Sequence, residues 1–278
     1  MIIVADCGST TVDWRITGES GDITAVKTAG VNFAVQGLSA LERILTDNLS
    51  PFRGQVSRVY FYGAGITGHK RKEQARAVLA RFFPEAVVHA DSDMAGAAVA
   101  LFGRGPGMAC ILGTGSNVCY YDGKDIVRVS RSGGFVLGDE GSGAYMGKVL
   151  LGDYVKGLLP LSLAGKLENR YDMDYGSIVA NIYSGKSPSK YLASFSRFIS
   201  ENRGEPYVEE LIRTSFDAFF ERNRLLSEYP GIEIGFVGSV AAVYADILEE
   251  RAGMKGLRVG RILGNAADTL AVFYRDKI

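Results

Sequence analysis

Metal-ligand and disulfide chemistry are the first things this chain is short of. Its 278 residues include three cysteines (Cys7, Cys110, Cys119) and two histidines (His69, His89). No Cys-x-x-Cys pair occurs, which leaves too few ligands for a structural zinc or a ferredoxin-like cluster. Three thiols cannot make a disulfide scaffold, so a reducing, cytoplasmic setting is expected. The opening Met1-Ile2-Ile3-Val4-Ala5-Asp6 lacks the basic region of a signal peptide. No run of 18 apolar residues appears, so no membrane span is expected. There is also no excess charge: 31 basic side chains meet 31 acidic ones. That balance argues against nucleic acid or an anionic membrane surface as a partner.

What the chain has is apolar bulk and glycine. Hydrophobic residues make up 47%, enough for a packed core and too many for a disordered chain. Glycine accounts for 35 residues, about 13% against a usual ~7%. Such a chain is rich in turns, or in backbone that approaches a ligand closely.

The pattern along the chain is α/β. Residues 2–5 read as a buried strand, 12–16 as a half-buried one and 23–28 as a third. A helix is predicted over 38–49, with Ser39 and Glu42 as a capping box. A strand at 56–62, a helix at 72–83, a strand at 86–89 and a helix at 95–102 complete a first domain, 1–107. Arg104-Gly105-Pro106-Gly107 marks the boundary. Strands then recur at 108–112, 118–121 and 126–130, so the opening is repeated. Superposing Gly8-Ser9-Thr10 on Gly115-Ser116-Asn117 sets the repeat at an offset of 107. A helical insert is predicted over about 142–228, with helices at 142–156, 161–170, 174–183, 188–203 and 206–228. A strand at 233–237, a helix at 240–252 and a strand at 257–262 complete a second domain, 108–264. A last helix, 265–278, is open to completing the first.

Four segments could carry chemistry. In Asp6-Cys7-Gly8-Ser9-Thr10-Thr11, backbone N–H groups and hydroxyls can meet phosphate oxygens, and Gly8 has no Cβ to block them. An ordinary hairpin tip is the plain alternative. Asp6, at the end of a buried strand, needs a cation, water or a donor. Gly113-Thr114-Gly115-Ser116-Asn117 has the same ingredients without charge. Folded about a pseudo-two-fold, the two turns would face each other across a cleft and hold a triphosphate from both sides. Asp91 and Asp93 stand at the carboxyl rim of a sheet, where one would cap the next helix and the other could act as a base. Gly133 to Gly143 is glycine-dense and carries Asp139 and Glu140; a surface Ω-loop is its plain alternative. Weaker is Gly238-Ser239, a strand-to-helix turn able to hold a nucleotide. Gly63-Ala64-Gly65-Ile66-Thr67-Gly68 fits G-x-G-x-x-G, but three strands precede it, which argues against a dinucleotide site.

These motifs, in this order, resemble the superfamily of sugar kinases, heat-shock ATPases and actin. Ser92-Asp93-x-Ala95-Gly96, Leu112-Gly113-Thr114-Gly115-Ser116-Asn117 and Gly133-Gly134-Phe135 with Gly138-Asp139-Glu140-Gly141-Ser142 resemble N-acetylglucosamine kinases of the BadF/BadG/BcrA/BcrD-type ATPase family. The resemblance implies two ribonuclease H-like (actin-like ATPase) domains related by duplication, and it implies ATP and Mg²⁺. Asp6, Gly8, Ser9, Thr10, Thr11, Gly113, Thr114, Gly115, Gly238 and Ser239 would then contact the nucleotide. Asn32, Ser116, Asn117, Gly134, Phe135 and Asp139 would line the amino-sugar pocket, with Asp93 as the base. Asp6 would orient water around Mg²⁺, and Asp139 is a second candidate for the metal. The implied partner is a small sugar, with neither nucleic acid nor membrane, and a homodimer is left open. Two departures stand out: Thr11 replaces a common Lys or Arg, and Phe135 a common Trp. A type III pantothenate kinase, an ATP-dependent activator and a sugar-sensing module remain rivals.

Overall fold

The computed structural model describes residues 1–33 and 37–276. Two compact units emerge: Met1–Ala109 with Tyr120–Val127 and Asn265–Ile278, and Cys110–Cys119 with Arg128–Gly264.

In the first unit, β1 (Ile2–Cys7), β2 (Thr11–Thr17) and β3 (Ile23–Ala29) form an antiparallel meander. Then come α1 (Ser39–Ile44), β4 (Arg58–Gly63), α2 (Gly68–Phe82), β5 (Val87–Ser92) and α3 (Asp93–Phe102). The sheet order is β3-β2-β1-β4-β5, with β4 and β5 parallel to β1. Strand β1 is apolar at consecutive positions because both its faces are covered. Ile3, Trp14, Leu41, Phe61, Leu79 and Phe83 are fully buried and form the core.

The second sheet contains β6 (Gly107–Leu112), β7 (Ser116–Tyr121), β8 (Ile126–Val129), β9 (Glu233–Val237) and β10 (Arg258–Leu263), ordered β10-β9-β6-β7-β8. This is the order of the first sheet, so the duplication is a fact of topology. Helices lie in sequence around these strands. They are α4 (Gly134–Leu137), α5 (Gly143–Val155), α6 (Leu161–Glu168), α7 (Tyr175–Tyr183), α8 (Pro188–Ala193), α9 (Ser196–Glu201), α10 (Pro206–Arg222) and α11 (Leu225–Glu228). After β9 come α12 (Ser239–Val243) and α13 (Ala245–Met254), and after β10 comes α14 (Ala267–Arg275), in the first unit's range. The recurring phenylalanines of α10, Phe216, Phe219 and Phe220, are buried core.

The structure corrects several expectations. The offset of the repeat is 105, not 107: Ile2–Cys7 matches Gly107–Leu112, and Thr11 matches Ser116 as the start of the next strand. Gly8 therefore corresponds to Gly113, and Asp6 to the uncharged Ile111. The predicted helix at 38–49 stops at Ile44 and continues as a π turn, Leu45–Leu49, and a 3₁₀ turn, Ser50–Phe52. The side chains of Thr46, Asn48 and Ser50 bond back to carbonyls four residues earlier, which loosens the ladder while Leu45 and Leu49 stay buried. Nor does the Ser39–Glu42 capping box form: no side chain caps α1, and Glu42 pairs with Arg81 instead. The single helices expected at 188–203, 206–228 and 240–252 are each divided, at residues 194–195, 223–224 and 244.

Candidate functional site

The first cluster is built around the tip of β1. Its turn is closed by the Gly8 amide donating to the Thr11 carbonyl at 2.9 Å, and the Gly30 amide donates to the Thr10 carbonyl at 2.8 Å. A Cβ on Gly30 would lie 2.4 Å from both the Gly8 oxygen and the Thr11 nitrogen, so only glycine can pass beneath this turn. Two residues on, Asn32 donates from Nδ2 to the Ser9 hydroxyl at 3.2 Å. A predicted sugar-pocket residue thus touches the predicted phosphate hairpin.

Asp6 accepts the Ala266 amide on Oδ2 at 2.9 Å, at the N-terminus of α14. Burial pushes its carboxyl above the usual range; the Ala266 amide opposes this, and the Asp13 charge adds to it. Asp93 opens α3 and accepts the Met94 amide at 2.9 Å. Burial raises it to about 6, opposed by that amide and assisted by the negative charge of Asp6. The two carboxylates therefore sense one another, although 87 positions separate them in the chain.

Neither Asp91 nor Asp93 caps α3, contrary to expectation. Ser92 does, its hydroxyl accepting the Ala95 amide at 3.2 Å. Asp91 is engaged elsewhere: Lys72 approaches its two oxygens at 2.6 and 2.7 Å. Strand β5 runs through Ser92, beyond the predicted end at 89, so His89 is a mid-strand residue beside Tyr60 and Tyr62.

The second cluster surrounds the turn between β6 and β7. The Gly113 amide donates to the Gly115 carbonyl at 3.0 Å. The first amides of α5 donate to the same turn, Gly143 to the Gly113 oxygen at 2.9 Å and Ala144 to the Thr114 oxygen at 3.0 Å. Gly238 lies against it at φ +131°, where a Cβ would stand 2.2 Å from the Leu112 oxygen. Ser239 follows as the first, exposed residue of the five-residue α12.

Asp139 completes this cluster. It is the only non-glycine residue with a left-handed backbone among the described residues, at φ 57°. Such strain persists only where surrounding structure enforces it. Its Oδ1 accepts the Ser116 amide at 3.2 Å, and a Cβ on Gly115 would sit 3.0 Å from its Oδ2. Burial raises it to about 6; the Ser116 amide and Lys148 oppose the shift, and the Glu140 charge assists it. Glu140 is paired with Arg222. Gly134 and Phe135 are half-buried in α4, a short helix within the glycine-dense segment, and Lys148 donates to the Phe135 carbonyl at 3.1 Å. Ser116 and Asn117 are neighbours on β7, so their side chains leave on opposite sides of the strand. The carboxamide of Asn117 turns back to the Val118 amide at 2.9 Å.

Several contributors were not anticipated. The need for glycine at position 30 appears only once the turn above it is seen. Ala266, Lys72, Gly143 and Ala144 act through backbone or distant pairing, and no local motif marks them. Among the described residues, no group of three or more His, Cys, Asp and Glu side chains could hold a metal ion. That excludes a self-sufficient protein cage there. Two adjacent carboxylates suit Mg²⁺, which takes one or two carboxylates and fills its sphere with water and substrate phosphates.

No protein-family profile matches the chain, and no curated protein does. Solved structures do. One, from Porphyromonas gingivalis, is named a "Putative N-acetylglucosamine Kinase"; it is 35% identical, with a TM-score of 0.92 and 99% of each chain covered. A second of that name, from Chromobacterium violaceum, is 19% identical with a TM-score of 0.74, covering 98% of each chain. A ROK family glucokinase from Streptomyces griseus, solved with glucose and AMPPNP, is 17% identical with a TM-score of 0.61, covering 97% of each chain. The last two share the fold.

Proposed function

This chain belongs to the N-acetylglucosamine kinase-like proteins, and from that membership we propose that it is an ATPase of the BadF/BadG/BcrA/BcrD type that transfers the γ-phosphate of MgATP to a hydroxyl of an amino sugar, with N-acetylglucosamine and its 6-hydroxyl as the leading pair. The observation that carries this reading is the Asp6–Asp93 pair beside the Gly8–Thr11 turn. It sets a base with a pKa of about 6 next to a carboxylate suited to Mg²⁺ and to a backbone able to meet phosphate.

Asp93 is the base. A carboxylate of pKa about 6 is ionised at neutral pH yet basic enough to accept a proton in the transition state. As the sugar oxygen attacks phosphorus, its proton passes to Asp93, the bond from phosphorus to the β,γ-bridging oxygen breaks, and ADP leaves. Asp91 is the weaker candidate because Lys72 occupies its oxygens. Asp6 would hold Mg²⁺ through water, and the ion would supply charge neutralisation for the phosphates. Thr10 and Thr114 donate to phosphate oxygens, and Gly8, Gly113 and Gly115 keep the backbone accessible. Gly238 and Ser239 belong to the nucleotide as well. Asn32, Ser116 or Asn117, Gly134, Phe135 and Asp139 select the sugar. Most of the rate comes from positioning and charge neutralisation, as in phosphoryl transfer generally.

The test is an ADP-release assay on purified protein with MgATP and a panel of N-acetylglucosamine, N-acetylmannosamine, glucose, glucosamine and pantothenate. Phosphorus NMR of the product identifies the hydroxyl. ADP release dependent on N-acetylglucosamine is expected. Turnover with pantothenate alone, or with no panel member, overturns the reading.

A further inference from the structure

Behind Asp6 lies a buried cation that the proposed chemistry does not use. Arg15 is on β2, and its side chain is only 10% exposed. A guanidinium so placed must be paired and hydrogen-bonded to be tolerated. Its Nε donates to Asp268 Oδ1 at 2.5 Å, its Nη1 donates to the Trp14 carbonyl at 2.9 Å, and Asp13 lies 3.9 Å from Nη1. Asp268 is in the first turn of α14. Asn265 closes the same turn, donating to the Asp268 carboxylate at 3.3 Å and accepting the Asp268 amide at 3.4 Å. Within that turn the Ala266 amide points at Asp6.

One path of contacts thus runs from β2 through Arg15 and Asp268 to the start of α14, and from Ala266 to Asp6 on β1. Strands β1 and β2 are paired with Asp6 opposite Asp13, so the path closes on itself. We propose that Arg15 is a positioning residue: it clamps the N-terminus of α14 against the β1–β2 hairpin, and this keeps the Ala266 amide on one oxygen of Asp6 and the carboxylate in one orientation. The assignment of a metal-orienting role to Asp6 rests on the kinase reading given above; the clamp does not. Arg15 has no contact with substrate in this role and acts through the helix. A lysine would restore the charge but not the fork that spans Asp268 and the Trp14 carbonyl. The group bonded directly to Asp6 is the Ala266 amide, and groups in that position typically change metal affinity or activity by about 10–100-fold, which sets an upper bound on what Arg15 does through it.

Arg15→Met, Arg15→Lys, Asp268→Asn and the double variant Arg15→Met/Asp268→Asn separate the alternatives. The first readout is amide hydrogen exchange at Ala266 in the protein without nucleotide. Exchange is expected to accelerate in Arg15→Met and Asp268→Asn, least in Arg15→Lys, and no further in the double variant. The second readout is steady-state kinetics: kcat falls by up to about 10-fold, the Mg²⁺ needed for half-maximal rate rises, and KM for the sugar holds. Unchanged Ala266 exchange in folded Arg15→Met and Asp268→Asn overturns the clamp, whatever the kinetics. Accelerated exchange with wild-type kcat and Mg²⁺ dependence overturns its importance for Asp6. If the wild-type protein releases no ADP, the kinase reading has failed, and the exchange experiment still decides the clamp.

Discussion

The two glycine turns occupy the same place in two sheets of the same strand order, yet they are held by different physics. The first turn works with charge. Asp6 precedes it, the charge of Asp6 acts on Asp93, and Arg15 offsets Asp6. The second turn works with backbone: Gly238 packs on it, the opening amides of α5 bind its carbonyls, and Ile111 replaces the acid. The acid that reaches it, Asp139, comes from a separate segment. The two sheets share a strand order and a glycine turn at the same place, while the acid at the strand end is found in the first copy alone. On the proposed kinase reading, the bond-making groups belong to the first copy and the second would hold a ligand.

The sharpest way to break that contrast is Asp93→Asn. Turnover should fall about 10²–10⁴-fold while ATP and sugar still bind by calorimetry. Near-normal turnover would move the chemistry elsewhere. Next in size is a contrast between glycines. Gly238→Ala should cost about 1–3 kcal/mol or more in chemical denaturation, because it meets both a positive φ and a carbonyl at 2.2 Å. Gly113→Ala, with nothing within 4 Å of a new Cβ, should stay within about 1 kcal/mol. Equal losses would show that the second turn is not gripped by its backbone neighbours.

A pH experiment separates the two acids that both sit near 6. Asp93 must be ionised to act, so kcat/KM should fall as pH drops through about 6. Asp139→Asn should leave that limb in place. It should change stability instead. A carboxyl raised above its unfolded value favours the protonated form in the folded state, so its contribution declines as pH rises from about 4 to 6. Replacing Asp139 by Asn should flatten that decline in denaturation curves. Should the kinetic limb move instead, Asp139 is the titrating base. The smallest effect is expected for Asn32→Ala, a few-fold rise in sugar KM with about 1 kcal/mol or less lost in stability.

The repetition was legible because alternation and turn glycines are local signals, and the first strands land within a residue or two of their predicted ends. The matching letters Gly8-Ser9 and Gly115-Ser116 point to an offset of 107, but strand ends decide the register and set it at 105. Capping of α3 went to Ser92 over two aspartates because the position of a helix start selects the cap, and β5 runs two residues past Ala90. The α1 segment looked like one helix from its leucines, but side-chain bonds to its own carbonyls outweighed the periodicity. Within the site, residues that act by side-chain type near a turn could be read directly. Those that act by a backbone amide could not: Ala266 carries no chemical signature, and its partner Asp6 is 260 residues away.

That separation has a temporal side. The β1–β2 hairpin leaves the ribosome well before α14, and the amide that seats Asp6 is made 260 residues after it. At about 5–20 residues per second, that is a wait of roughly 13–50 s during translation. Throughout that interval Asp6 must rely on water, or on a chaperone's shelter, for the bond that α14 eventually provides.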